Sequence, residues 1–224
     1  MRYQGPIYRP PSEADSLLIQ ATVGCPHNKC TFCIVYKNGP KFKVRPTSEI
    51  IKDMYAARDQ FGPSSVRTMF LPAGNSIAVP TAELVHIFQA AREIFPLLER
   101  ITVYGSARYI LDKGEDDVMR LAESGLSRIH VGLESGNDQV LRQIKKGAAR
   151  PDQIQAGQML SKAGIENSTY VMLGIGGREL TREHAQDTAS AVNAISPDFV
   201  RVRTFLPKID THLLRKVEKK MNFK

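Results

Sequence analysis

A chain of 224 residues with 42% hydrophobic and 24% charged residues has the make-up of an ordinary globular domain, and that length suits a single α/β unit. No apolar run is long enough to span a bilayer, which excludes a membrane helix. The formal net charge of +8 suits nucleic acid, an anionic substrate or an acidic electron-transfer protein, and equally a plain solvated surface; no RNA-recognition signature accompanies it.

In chain order, residues 1–16 are rich in proline and polar groups and read as an irregular lead-in. The apolar run Leu17-Leu18-Ile19-Gln20-Ala21-Thr22-Val23 reads as one buried strand. It delivers the chain to Gly24-Cys25-Pro26-His27-Asn28-Lys29-Cys30-Thr31-Phe32-Cys33, which holds all three cysteines. An odd count with no export signal is not a disulfide framework, and free thiols suit a reducing cytoplasm. Thiolates are soft ligands for iron–sulfur clusters, zinc or copper. The spacing C-x4-C-x2-C matches the first three ligands of a plant-type [2Fe–2S] site, but the fourth cysteine is missing. A zinc site would have to recruit His27, a tight chelate so close to Cys25. The third option is a [4Fe–4S] cluster with one iron left open to bind a small molecule.

Residues 34–46 read as a basic loop carrying Lys37, Lys41, Lys43 and Arg45. Thr47 is expected to cap a helix with Ile50, Ile51, Met54 and Tyr55 on one face, closed by Gly62. The second strand is expected over 66–71. Thr81 is expected to cap a helix with Leu84, Val85, Phe88, Ala91 and Phe95 inward. A third strand over 101–104, a helix over 115–124, a fourth strand over 128–133 and a short helix near 137–143 follow. Pro151 suits the first turn of a helix ending at Gly164. The fifth strand spans 168–173. A helix over 180–195 is expected to turn Ala185, Ala189, Val192 and Ile195 inward, and the sixth strand spans 199–205. Leu213, Leu214, Val217 and Met221 fall on one face of a last helix over 211–221.

Strand and helix repeated six times imply right-handed βαβ units and a parallel sheet. The expected class is α/β, either a partial (βα)6 barrel or a flat doubly wound sheet, because six units fall short of the eight that close a barrel. Ligands sit at the carboxyl ends of the strands in both. After the second strand comes Pro72-Ala73-Gly74-Asn75-Ser76, a turn by composition, where Asn75 or a backbone carbonyl can accept a hydrogen bond. After the third come Ser106 and Arg108; the guanidinium suits either a ligand carboxylate or a neighbouring acid. Alternation puts His130, Gly132 and Glu134 on one face of the fourth strand, and a buried Glu134 must meet a cation, an N–H or hydroxyls. His130 reads as a hydrogen-bonded core histidine. Arg201 and Arg203 share a face of the sixth strand, facing an anionic substrate or guarding a sheet edge.

The motif Gly-Cys-x4-Cys-x-Phe-Cys, with Gly132-Leu133-Glu134-Ser135-Gly136 and Lys146-Gly147, resembles the radical SAM superfamily over about residues 17–207. The usual spacing there is C-x3-C-x2-C, so one residue is extra between Cys25 and Cys30. The opening over 5–16 resembles a group of bacterial members without a settled reaction. The resemblance implies the partial (βα)6 barrel and a [4Fe–4S] cluster held by Cys25, Cys30 and Cys33. It also implies S-adenosylmethionine (SAM) bound near Phe32, Ala73, Gly74, Asn75, Ser106, Arg108, Glu134 and Leu173. The chemistry implied is reductive cleavage of SAM to a 5′-deoxyadenosyl radical that takes hydrogen from a substrate, with electrons from a low-potential donor of flavodoxin or ferredoxin type. A tRNA and a tetrapyrrole or other small molecule are both open as substrates, and a zinc-stapled binding module is the rival outside this class. The expected division is lead-in 1–16, barrel domain 17–207 and a short basic helix over 208–224. The larger relatives carry more sequence after the barrel, so the chain reads as a shortened protein or a fragment.

Overall fold

The computed structural model describes residues 1–206. The run expected to be one strand is two: β1 (Leu17–Leu18) joins the main sheet, and β2 (Thr22–Val23) leaves it to pair antiparallel with β3 (Lys43–Val44). Arg45 is the cause within reach of β2. Its backbone N–H donates to the Ala21 carbonyl (2.9 Å), and its guanidinium, buried at 2% exposure, bonds the Gln20 carbonyl and Asp53 Oδ2, both at 2.7 Å. Arg45 therefore departs from the solvated basic loop expected over 34–46, while Lys37, Lys41 and Lys43 are exposed.

Helix α1 (Thr47–Phe61) leads to β4 (Thr68–Leu71), α2 (Thr81–Ile94) to β5 (Arg100–Gly105), and α3 (Ala107–Leu111) with α4 (Gly114–Glu123) to β6 (Leu126–Glu134). Then come α5 (Asp138–Gln143), α6 (Arg150–Lys162), β7 (Glu166–Leu173), α7 (Thr181–Ile195) and β8 (Phe199–Thr204). The short helix α3 was not expected. Neither threonine is a cap: Pro46 and Pro80 take those positions. The hydroxyls tie helices together instead, Thr47 donating to Glu83 Oε2 (3.2 Å) and Thr81 to Asp117 Oδ2 (2.6 Å).

The six-stranded sheet is parallel and runs β1-β4-β5-β6-β7-β8. Every crossover steps in the same direction. Right-handed crossovers that never reverse put all helices on one side, and the sheet curls into a partial barrel. A doubly wound sheet would reverse its order at a switch point. The outer face, with Met69, Leu71, Ile101, Val103, Ile129 and Val131, forms one core with Ile50, Met54, Leu84, Phe88, Leu121 and Leu160 of the helices. The inner face carries Phe70, Tyr104, His130 and Tyr170 in a chain of ring contacts 5.0–5.9 Å apart. No described helix is long and apolar enough to cross a membrane.

On α7 the buried stripe is His184, Thr188, Ala191 and Ile195, so Ala185 and Ala189 are exposed rather than inward; on α1, Tyr55 is exposed at 44%. The lead-in has one 3-10 turn, Pro11–Glu13, yet it is bound tightly to the barrel: Gln4 and Gln20 exchange two hydrogen bonds, and Glu13 is 1% exposed. The helix expected over 211–221 and the basic tail lie outside the described residues.

Candidate active site at the carboxyl ends of the strands

The cysteine loop leaves β2 through Gly24, whose φ of +72° is open to glycine and which leaves no room for a side chain against the Pro40 carbonyl. The far end of the loop is sewn to the C-terminus of α5. Thr31 N–H donates to the Ile144 carbonyl (2.9 Å), and His27 Nε2 lies 2.7 Å from the Lys145 carbonyl. Phe32 packs against Val140, Leu141, Ile144 and Ile175. These contacts hold all three thiols half-buried and free. Burial pushes the Cys30 thiol up to about 11, against the opposing pull of the Lys146 cation, and pushes Cys33 up as well. Thiols so held release their protons to a metal rather than to water.

Gly74 lies under Cys25. A Cβ at 74 would sit 2.4 Å from Cys25 Cβ, and Gly74 N–H donates to the Gly24 carbonyl (3.1 Å). Asn75 Nδ2 donates to Cys25 Sγ at 3.7 Å, the kind of outer contact that tunes a metal-bound thiolate. Asn75 is 5% exposed, and its Oδ1 is buried without a partner. Ala73 is buried with φ +88°, a left-handed conformation rare outside glycine.

Glu134 ends β6 at a bulge, where the register shifts between Gly132 and Glu134 and φ is +63°. Its side chain returns over Gly132, where a Cβ would meet Glu134 Oε1 at 2.4 Å, so the carboxylate shares the side of Gly132 even though the bulge breaks the plain alternation. Oε1 accepts from Lys146 Nζ (3.0 Å), and both side chains are buried. Burial alone would lower the Lys146 pKa, but the Glu134 carboxylate raises it, so the cation stays beside the cysteine loop. Ser106 is half-buried at the start of α3. Arg108 is exposed and makes a loose ion pair with Asp112 (3.8 Å). Leu173 stands apart from these residues: it lines an outer groove with Val171, Ala185 and Val200, while Met172 packs with Phe32 against the α5 cluster.

Three interactions escaped sequence reasoning. Lys146 was legible only as half of a Lys-Gly pair. A buried clamp joins the turn after β6 to α7: Ser135 Oγ and Thr188 Oγ1 meet His184 Nδ1 at 2.8 and 3.2 Å, and His184 Nε2 meets the Met172 carbonyl at 3.1 Å. At the opposite end of the barrel, Glu13 accepts from Ser16 Oγ (2.6 Å) and Arg100 Nη2 (3.2 Å) and faces His130 Nε2 (3.1 Å). His130 is thus the hydrogen-bonded core histidine expected. Such pairs join residues far apart in the chain, and no local pattern marks them.

The donor set fits an open cluster better than one ion. Among the described residues no three Cys, His, Asp or Glu side chains are grouped to hold a single metal ion. His27, the zinc candidate, is engaged with a carbonyl. A cluster binds each of its thiolates through a different iron, so three thiolates leave the fourth iron open. The orphaned Asn75 Oδ1 beside Cys25 suits an ammonium or N–H donor on a molecule bound there.

A family model described as "Radical SAM superfamily" matches residues 19–192. Among curated proteins, the chain is 25% identical over 146 residues to "Heme chaperone HemW" of Lactococcus lactis, covering 64% of this chain and 36% of that one. It is 28% identical over 197 residues to "tRNA-2-methylthio-N(6)-dimethylallyladenosine synthase" of Leifsonia xyli, covering 82% and 35%. The chain thus spans about a third of the length of these relatives. Among solved structures, a radical S-adenosylmethionine methyltransferase, TsrM, from Kitasatospora setae, with cobalamin and [4Fe–4S] cluster bound, superposes with a TM-score of 0.68 at 18% identity, covering 84% of this chain and 36% of that one.

Proposed function

This chain belongs to the radical SAM superfamily, and on that premise we propose that it is an enzyme whose Cys25, Cys30 and Cys33 hold a [4Fe–4S] cluster with one iron open to SAM. The observation that carries this reading is the meeting of three free thiols, the unpartnered Asn75 carbonyl oxygen and the Glu134–Lys146 pair at the carboxyl ends of the strands. When bound, the reduced cluster supplies the electron that cleaves SAM to methionine and a 5′-deoxyadenosyl radical.

The chain's own residues bind and orient. Asn75 Oδ1 and the carbonyls of the turn at Ala73 and Gly74 accept from the methionine ammonium. Glu134 Oε2, which has no hydrogen-bond partner among the described residues, accepts from the ribose hydroxyls or the ammonium. Phe32 keeps water from the loop by packing on α5. Ser106, half-buried at the start of α3, serves the SAM carboxylate, with the exposed Arg108 guanidinium adding positive charge, and Leu173 contributes through its backbone alone. Exposed Lys29, Lys37, Lys41 and Lys43 flank the loop, which suits an acidic, low-potential electron donor of flavodoxin or ferredoxin type. Half-buried free thiols suit the reducing cytoplasm.

Anaerobically reconstituted protein with a strong reductant and SAM is expected to form 5′-deoxyadenosine, and Cys30→Ala is expected to form none and to hold far less iron and sulfide. One zinc per chain in place of iron, or wild-type iron in the mutant, would sink the reading.

A further inference from the structure

The concave face of the sheet holds a second set of polar groups that the cysteine loop does not use. Alternation along β8 puts Arg201 and Arg203 on this face, Arg201 opposite Tyr170 of β7, while Val200 and Val202 point the other way. Arg201 Nε donates to Ser168 Oγ (2.8 Å), and the Arg203 guanidinium carbon stands 6.0 Å from the centre of the Tyr170 ring. Neither guanidinium meets a carboxylate at ion-pairing distance among the described residues. The acids nearest in the barrel are already committed, Glu13 to Arg100, Ser16 and His130, and Glu166 to Arg128 at 2.6 Å. This leaves two unmatched positive charges facing the concave side.

Beside them, two buried polar atoms lack a well-formed hydrogen bond. His130 is 1% exposed; its Nε2 faces Glu13, and its Nδ1 is unbonded. The Tyr170 hydroxyl is likewise buried, with the Arg203 guanidinium beside it but no partner at full hydrogen-bond geometry among the described residues, and the two rings are in edge contact at 5.9 Å. Charges placed only to guard a sheet edge would need neither atom, and native proteins leave few buried polar atoms unpaired.

We propose that this face binds a small organic acid. Arg201 and Arg203 hold its carboxylate or phosphate group, the Tyr170 hydroxyl donates to the same group, and His130 Nδ1 accepts an N–H or O–H from the body of the molecule. The concave placement favours a small molecule over RNA. That this acid is the substrate rests on the reading of the chain as a radical SAM enzyme; the acid site itself does not.

The test is calorimetric titration of the reconstituted protein with citrate and, separately, with inorganic phosphate, the two arms separating carboxylate from phosphate. Wild type is expected to bind at least one. Arg201→Gln and Arg203→Gln should weaken it about tenfold or more, as loss of a charge-assisted partner does. Arg201→Lys should retain part of the affinity, and Arg67→Gln, on an exposed pair with Glu99, should match wild type. Tyr170→Phe separates binding from folding: it should melt higher, having lost a poorly paired hydroxyl, yet bind the anion less well. SAM affinity, followed by the cluster's EPR signal, should be unchanged in Arg201→Gln. Absence of binding to both anions, glutamine variants that bind like Arg67→Gln, or a loss of SAM affinity alone would overturn the proposal. So would a short RNA hairpin that outcompetes citrate in wild type only. Wild type that binds citrate but not SAM would uphold the acid site and remove the reading of the chain as a radical SAM enzyme.

Discussion

At position 74 one methyl group decides the geometry of the loop. An alanine Cβ would collide with Cys25 Cβ and come within 2.9 Å of its Sγ, so either the turn or the cysteine must move. Gly74→Ala is expected to lower iron and sulfide per chain while the circular dichroism of the barrel is preserved; wild-type iron would mean that the turn yields instead. Glu134 pays for its place with left-handed backbone, a strain of about 1–3 kcal/mol for a residue with a side chain. Glu134→Gln keeps the shape and the acceptor for Lys146 but removes the charge. A lost charge-assisted hydrogen bond costs about 1.5–3 kcal/mol, so SAM affinity should fall roughly ten- to a hundredfold with iron near wild type. Unchanged affinity in a protein that unfolds more easily would make Glu134 a partner of Lys146 alone.

Among the elements, α7 shows how far periodicity reads and where it stops. The helix lies where its pattern predicts, but the alanines expected inward are exposed, because His184 and Thr188 take the buried stripe to reach Ser135 and the Met172 carbonyl. Polar residues on a buried face carry no hydrophobic signal. His184→Ala would leave the Ser135 and Thr188 hydroxyl protons without an acceptor and the Met172 carbonyl without this donor. Both hydroxyl oxygens keep a backbone N–H, from Asn137 and Gly136. An unsatisfied buried group costs about 1–3 kcal/mol. The expected loss is about 2 kcal/mol or more by urea denaturation; a change within about 0.5 kcal/mol, typical of surface sites, would show that the clamp is dispensable. The first strand breaks for a similar reason. The run 17–23 is mostly apolar and reads as one strand, but Arg45 draws its second half out of the sheet by binding the Gln20 and Ala21 carbonyls.

For the whole molecule, Glu13 fastens the lead-in to the barrel. Burial by itself would raise its pKa. Hydrogen bonds from His130 and Ser16 and the charge of Arg100 outweigh that and hold it down at about 2. A carboxylate depressed in the folded state stabilises above its unfolded value of 4.5, and this stabilisation is lost as pH falls from there through about 2. The loss is on the order of 3 kcal/mol by linkage. Glu13→Gln is therefore expected to flatten the decline of the melting temperature between about pH 4.5 and 2. An identical acid limb in the variant would remove Glu13 from the account.

The sequence by itself determined the alternation of strands and helices through the sixth strand, the parallel sheet, the cysteine loop and the class of ligand three neighbouring thiols can hold. Each is written in local period, spacing or residue chemistry, and survives whatever the rest of the chain does. It also put Glu134 on the side of Gly132, although a bulge and a left-handed backbone, not plain alternation, bring it there. Only the tertiary structure decided between a curled and a flat sheet, because that turns on whether the strand order reverses. Only it paired Glu134 with Lys146, seated Cys25 on Gly74, turned Leu173 outward and set Arg201 and Arg203 on the concave face with no acid at ion-pairing distance among the described residues. A close contact between distant residues depends on where two elements meet, and no window of sequence contains both.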